Sequence, residues 1–525
     1  MLRKIRITLA LLMFVIVTLL LLDFTGSIHR WLGWAVKIQF LPALMALNLG
    51  VVIVLALLTL LLGRIYCSVV CPMGVMQDII GFFHRKANKK LRYNYSPEKR
   101  WLRWGVFAVF AVCLIIGVPV VVTLLAPYSS FGRIVQNLFQ PLYILINNGL
   151  AAISAHFDSY AFYHRDVWVR SGVTFAVAAA TFVIVCILAW RGGRTYCNTI
   201  CPVGTLLSVL ARFSWLKVNF DDKKCIKCGL CARNCKASCI DFKNQTVDYS
   251  RCISCGTCMS KCPKDALHYS HPKRKSAVAL ATDTEEKKEK PISETTKTSA
   301  TASTTPQSAE HVDKNRRAFL IGAGVALSAT AMAQQKKKLD GGLAPITQKQ
   351  APLRNTPITP PGSKGVWHVS RHCTACQLCV AACPNDVLRP SSDLNHFMQP
   401  VMSYERGYCR PECTRCSHIC PAGAIEPILP SQKSAIQIGH AVWNKKNCVV
   451  LTDKVECGNC ARHCPVGAIS MEPAESLWDG VSDNIPVVPI VNTERCIGCG
   501  ACEYVCPAAP FSAIYVEGHE QHREI

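Results

Sequence analysis

Apolar residues crowd the chain before Trp215 and thin out after it. Four apolar runs, at 7–22, 40–62, 106–126 and 173–190, come close to or exceed the about 20 residues that a helix needs to cross a bilayer core. They predict four membrane spans. A fifth stretch, 138–157, is also apolar but carries Gln140, Pro141, Asn147 and Asn148, which are costly in lipid. Loop charge sets the orientation. Arg3, Lys4 and Arg6 precede the first run, and Arg85, Lys86, Lys89, Lys90, Arg92, Lys99, Arg100 and Arg103 follow the second. Residues 127–170 hold only Arg133, Arg165 and Arg170. The positive-inside rule then places both ends of a four-span bundle in the cytoplasm. On that parity 138–157 reads as an interfacial or re-entrant helix on the outer face.

Beyond residue 216 the pattern changes to that of soluble protein. A small block at 217–270 is followed by a Thr-, Ser-, Ala-, Lys- and Glu-rich stretch, 271–313, with no apolar periodicity, which reads as a flexible linker. At 314–333 paired arginines, Arg316 and Arg317, precede Phe319, Leu320 and a short apolar run ending Ala331-Met332-Ala333. This is the grammar of a twin-arginine export signal, here internal, and it reads equally as cleaved after Ala333 or kept as an anchor. A second linker, 334–365, leads to a block at 366–525.

Half the residues are hydrophobic and the net charge is +24. The basic excess lies beside the apolar runs and in the linker, which suits membrane topology and anionic lipid. No basic stripe pairs with stacking aromatics, so nucleic acid is not an expected partner. Nor is there a C-x-x-C-H haem site, a P-loop or a dinucleotide fingerprint.

Most of the 31 cysteines fall in tight runs, which means metal rather than disulfides. In 217–270 they are Cys225, Cys228, Cys231, Cys235 and Cys252, Cys255, Cys258, Cys262, the bacterial ferredoxin spacing twice over. Three closely spaced thiolates wrap one cubane and the fourth reaches the other. One cluster is thus expected on Cys225, Cys228, Cys231 and Cys262, its partner on Cys252, Cys255, Cys258 and Cys235. Cys235 is followed by Lys236 where proline is usual, and Cys239 is an alternative ligand. Zinc sites rarely use such evenly spaced triplets. Block 366–525 has four runs: Cys373, Cys376, Cys379, Cys383; Cys409, Cys413, Cys416, Cys420; Cys448, Cys457, Cys460, Cys464; and Cys496, Cys499, Cys502, Cys506. Together these are 24 thiolates, enough for six [4Fe–4S] clusters. The runs are complete without the nearby His372, His418 and His463, which read as packing or solvent-facing residues. Cys113 and Cys186 read as small apolar residues within the spans. Six clusters and no substrate site imply electron transfer.

The apolar part also repeats itself. "GRIYCSVVCPMG" at 63–74 and "GRTYCNTICPVG" at 193–204 share Gly, Arg, Tyr, both cysteines, Pro and Gly at the same spacing, each after an even-numbered run. The predicted fold is therefore a membrane α-helical four-span bundle built of two hairpin repeats (1–216), plus two small α+β bacterial-ferredoxin-like domains. Glycine and proline explain a turn, but not two cysteine pairs. Cys67, Cys71, Cys197 and Cys201 are expected to have a redox or metal role, brought together by a pseudo-two-fold axis.

These motifs resemble a known family. C-x3-C-P pairs after membrane spans, followed by two ferredoxin runs, resemble NapH-type membrane ferredoxins, which share this core with NosR-like and CcoG-like proteins. A twin-arginine signal followed by four ferredoxin runs resembles NapG, itself similar to MauM. The resemblance implies a NapH–NapG fusion in the bacterial cytoplasmic membrane, with 217–270 cytoplasmic and 366–525 periplasmic. It implies a quinol dehydrogenase fed by menaquinol or ubiquinol from the quinone pool. It also implies a periplasmic cytochrome or nitrate reductase subunits as acceptor, and the twin-arginine translocase as exporter of the second half, folded. A CcoG-like assembly factor reducing copper or thiols, or a donor in a methylamine or nitrous-oxide pathway, are the alternatives.

Overall fold

A computed structural model describes residues 2–23, 25–87, 93–159, 162–221, 223–271, 347–477 and 485–525. The export-like segment, with Arg316, Arg317 and Ala333, lies outside the described residues, as do nearly all of the linker 271–313 and residues 334–346 of the second.

Among the described residues three helices are long and apolar enough to cross a membrane: Arg3–Leu22, Pro127–His156 and Gly172–Gly192. The first belongs to the uninterrupted helix Leu2–Leu22. Ser171 caps the third by accepting a bond from Thr174 N, and Gly193 ends it at φ +67°. The other two expected spans differ from their sequence outlines. Run 40–62 breaks at Leu47 and Asn48 into Phe40–Met45 and Leu49–Leu62. Run 106–126 breaks where Gly117, at φ +87°, ends Arg100–Ile116 and Pro119 opens a second helix, Pro119–Leu125. A glycine in the left-handed region followed by proline at the next helix start is a stop and restart signal.

Stretch 138–157 also differs. It is the C-terminal part of the 30-residue helix Pro127–His156, which contains a π-helical turn, Val135–Phe139. Its costly polar groups are paired by the chain that returns alongside. Asn147 Nδ2 donates to Tyr163 O at 2.9 Å, Asn148 exchanges bonds with Arg165 backbone at 2.7 and 2.9 Å, and Gln140 Oε1 accepts from Arg170 at 3.0 Å.

The soluble blocks sit at opposite ends of the long helices. Arg3 at the start of the first helix donates to Ser260 Oγ, and Gly26 beyond its end lies against Arg415. Helix Leu49–Leu62 runs the other way, from Ala46 beside Gly423 to Leu62 O, which accepts from Tyr269 at 2.6 Å. Arg103 in the helix Arg100–Ile116 meets Ser250 O at 3.2 Å, and Gly117 lies near Arg371. Before Gly172–Gly192, Arg170 faces Asp386, and after it Arg194 N donates to Lys236 O at 2.9 Å.

Block 217–270 has two small antiparallel pairs, Lys217–Phe220 with Leu267–Ser270 and Ile240–Asp241 with Thr246–Val247. Among its described residues the second block has three: Leu388–Pro390 with Pro400–Met402, Ile436–Trp443 with Ile514–Glu524, and Ile469–Pro473 with Val487–Val491. Its first cysteine run is not a separate body. Cys376, Leu378, Cys379 and Val380 share one apolar core with Val17, Phe131, Ile134 and Val135 of the helices.

Candidate functional site

The repeated motif builds the middle of the molecule. Gly63 (φ +70°) and Gly193 (φ +67°) turn the chain, short helices Ile65–Val69 and Thr195–Thr199 follow, and Pro72 and Pro202 open longer ones. Cys67, Cys71, Cys197 and Cys201 are each 4–5% exposed and within electrostatic reach of one another. The two copies clasp reciprocally. Arg64 Nη2 donates to Cys197 O at 3.2 Å, and Arg194 Nη1 donates to Cys67 O. The second glycine of each motif makes room for the partner's guanidinium. A Cβ on Gly74 would lie 2.5 Å from Arg194 Nη1, and one on Gly204 2.7 Å from Arg64 Nη2. Three donors address the sulfurs: Gln77 Nε2 to Cys197 Sγ at 3.0 Å, Gly204 N to Cys201 Sγ at 3.3 Å and Arg64 Nη2 to Cys67 Sγ at 3.8 Å.

Asp78 was not singled out by the sequence reading, yet it ties three parts together. Its carboxylate pairs with Arg194 (2.9 Å), Lys236 (3.1 Å) and Arg6 (3.5 Å). Burial alone would raise its pKa, but Arg194, Lys236 and Arg6 together hold it well below the usual carboxylate range. The available signal was its isolation, for it is the one acidic residue between Asp23 and Glu98. Lys236, the departure from proline after Cys235, docks its block onto the helices here.

In block 217–270, Cys225, Cys228, Cys231 and Cys262 line one pocket of about 370 Å³. Cys252, Cys255 and Cys258 line another of about 360 Å³, together with both Cys235 and Cys239. Cys235 and Cys239 sulfurs stand 3.5 Å apart. The bond with Cys239 outweighs burial and lowers the Cys235 thiol to about 7.

In the second block the fourth cysteine of each run again crosses to a neighbour. Cys379 is influenced by Cys373, Cys376 and Cys420, and Cys416 by Cys409, Cys383 and Cys413. Cys448, Cys457, Cys460 and Cys506 line one pocket of about 370 Å³, while Cys499 feels Cys496 and Cys464. Cys409 N bonds Cys499 O at 3.0 Å, joining the two halves of the block. His372 and His463 each bond a backbone carbonyl through Nδ1 at 3.0 Å.

The donor sets suit [4Fe–4S] clusters: four cysteines around a cavity, repeated, with backbone N–H groups aimed at sulfur, as from Ala266 to Cys262 and Ala468 to Cys464. Among the described residues no three His, Cys, Asp or Glu gather tightly enough for a single metal ion.

Comparison with known proteins agrees with this chemistry. A profile described as a 4Fe–4S binding domain matches residues 44–90 and 174–221, covering both C-x3-C-P motifs. Another 4Fe–4S binding profile matches 246–268, and a 4Fe–4S dicluster profile matches 455–509. The methylamine utilization ferredoxin-type protein MauM of Paracoccus denitrificans is 30% identical over 175 residues, 31% of this chain and 73% of that protein. The chain belongs to the ferredoxin-type proteins related to MauM. Ferredoxin-type protein NapF of Escherichia coli is 29% identical over 163 residues, 31% of this chain and 87% of NapF. MauN of Methylobacillus flagellatus is 27% identical over 187 residues, 35% of this chain. This ferredoxin-type chain spans about half the length of MauN, 53%. No solved structure matches it.

Proposed function

We propose that this iron–sulfur protein is a quinol dehydrogenase of the bacterial cytoplasmic membrane, a NapH-like half joined to a NapG-like half. The observation that carries the reading is the line of thiol sets through the helices. One pair stands at one end, four sets at the other, and the buried thiols of Cys67, Cys71, Cys197 and Cys201 between them. Helices Leu2–Leu22, Leu49–Leu62, Arg100–Ile116 and Gly172–Gly192 act as the four spans, with 217–270 cytoplasmic and 366–525 periplasmic.

The 24 ferredoxin-spaced cysteines would hold six [4Fe–4S] clusters, and Cys67, Cys71, Cys197 and Cys201 a further iron–sulfur centre. When bound, such clusters supply one-electron carriers. The chain's own residues space and insulate them. Tyr66 and Tyr196 flank the central thiols, and Tyr128 and Arg133 fill the gap to Cys376. The partners are menaquinol or ubiquinol, a periplasmic cytochrome or nitrate reductase subunit, and the twin-arginine translocase. The likeness to MauM and MauN favours a second reading, the same wiring serving methylamine oxidation.

Anaerobically purified protein is expected to carry six [4Fe–4S] clusters by iron, sulfide and EPR, and a menaquinol analogue should reduce them. A zinc-loaded protein, or clusters that no quinol reduces, would end this reading. Substituting Cys67 and Cys201 with serine should remove one further centre and slow reduction while the six remain. Unchanged electron transfer in that variant would leave the central thiols a structural role.

A further inference from the structure

A further cavity lies where the helix Pro127–His156, the chain before Gly172–Gly192 and the first cysteine run of the second block meet. It opens over about 720 Å³, solvent included. One wall is apolar, with Pro141, Ile144 and Phe175. Beside it Leu142, Leu145 and Ile146 are more than half exposed, a surface suited to lipid.

The other wall is polar. Arg170 Nη1 sits 3.0 Å from Gln140 Oε1 and 3.3 Å from Gln136 Oε1, and Asp386 lies 3.9 Å from Arg170. Gln377 also lines the cavity. It is 4% exposed, its Oε1 accepts from Asn137 at 3.0 Å, and its Nε2 has no partner. A buried amide donor without an acceptor is costly. Its backbone is held at φ +62°, sparsely populated for a residue with a side chain. The π-helical turn Val135–Phe139 brings Gln136 and Asn137 to the same wall. π-turns and left-handed non-glycine residues concentrate at functional sites.

We propose that this cavity binds the quinol headgroup, its ring oxygens meeting the free Gln377 amide and the Arg170–Gln140 pair, its isoprenoid tail leaving past Ile144 and Phe175. The assignment rests on the quinol reading above. It places the headgroup beside the loop that carries Cys376 and Cys379.

The test is binding, by equilibrium titration and by an azido-naphthoquinone photolabel mapped by peptide mass spectrometry. Label should fall within 136–144 and 165–175. Gln377→Leu and, on the lipid-side wall away from the cysteines, Ile144→Trp should each weaken quinone binding about tenfold or more, with iron content unchanged. Labelling elsewhere, or full affinity in Ile144→Trp, overturns the site while leaving the quinol reading intact. A wild-type protein that binds no quinone and is not reduced by quinol ends both.

Discussion

At the scale of single residues, the centre of the molecule depends on what two glycines lack. Arg64 and Arg194 each reach across to the opposite motif's first cysteine, and each passes over the glycine that closes that motif. A Cβ on Gly204 would also stand 2.4 Å from Cys197 O, backbone that cannot step aside. Gly204→Ala is therefore expected to cost about 1–3 kcal/mol, as overpacking does, and to disturb the central thiols. Thermal unfolding and the central spectroscopic signal would show it. The same change at Gly105, where nothing lies within 4 Å, should leave both unaffected. The cysteines were legible in sequence because ferredoxin ligands are spaced locally. Asp78, Lys236 and Gln377 were not, since their meaning comes from partners elsewhere in the chain. Gln377, for example, meets Asn137, 240 positions away.

Elements show why periodicity located the apolar runs but misjudged their ends. Hydropathy cannot see that Gly117 and Pro119 cut one run, nor that the chain returning from Tyr163 pairs Asn147 and Asn148. The strand pair Ile436–Trp443 with Ile514–Glu524 carries a consequence of the same kind. His440 and His519 face each other at 2.9 Å, and His522 bonds Thr359 at 2.9 Å. Burial, with His519 nearby, lowers His522 to about 4, and His519 is lowered by burial, His440 and Arg523. The unfolded chain takes up its proton near 6.5, the folded one only near 4. Stability from a neutral His522 is then complete above pH 6.5 and lost as pH falls toward 4, up to about 3 kcal/mol. His522→Gln should flatten the pH dependence of melting between pH 7 and 5. A curve of unchanged slope would show that other groups set it.

For the whole molecule, the two soluble blocks at opposite ends of the helices bear on how the chain must be delivered. On the proposed topology, Arg3, Lys4 and Arg6 keep the first block's end in the cytoplasm. On that same proposal the second block crosses the membrane, and Arg316 and Arg317 are the residues suited to direct it. Its destination is not a free position in solution. Cys376 and Cys379 share a core with Phe131 and Ile134, and Arg133 and Asn137 bond the loop that bears them. A second block left inside would strip that cover from the outer helix ends and expose buried Arg133. An epitope tag after Ile525 should be digested by protease added to spheroplasts of the wild type. Changing Arg316 and Arg317 to lysine should protect it and reduce accumulation of the membrane half too. Digestion of the tag in the double variant would remove the signal reading. Protection of the tag in the wild type would place both blocks on one side and contradict the opposed ends of the helices.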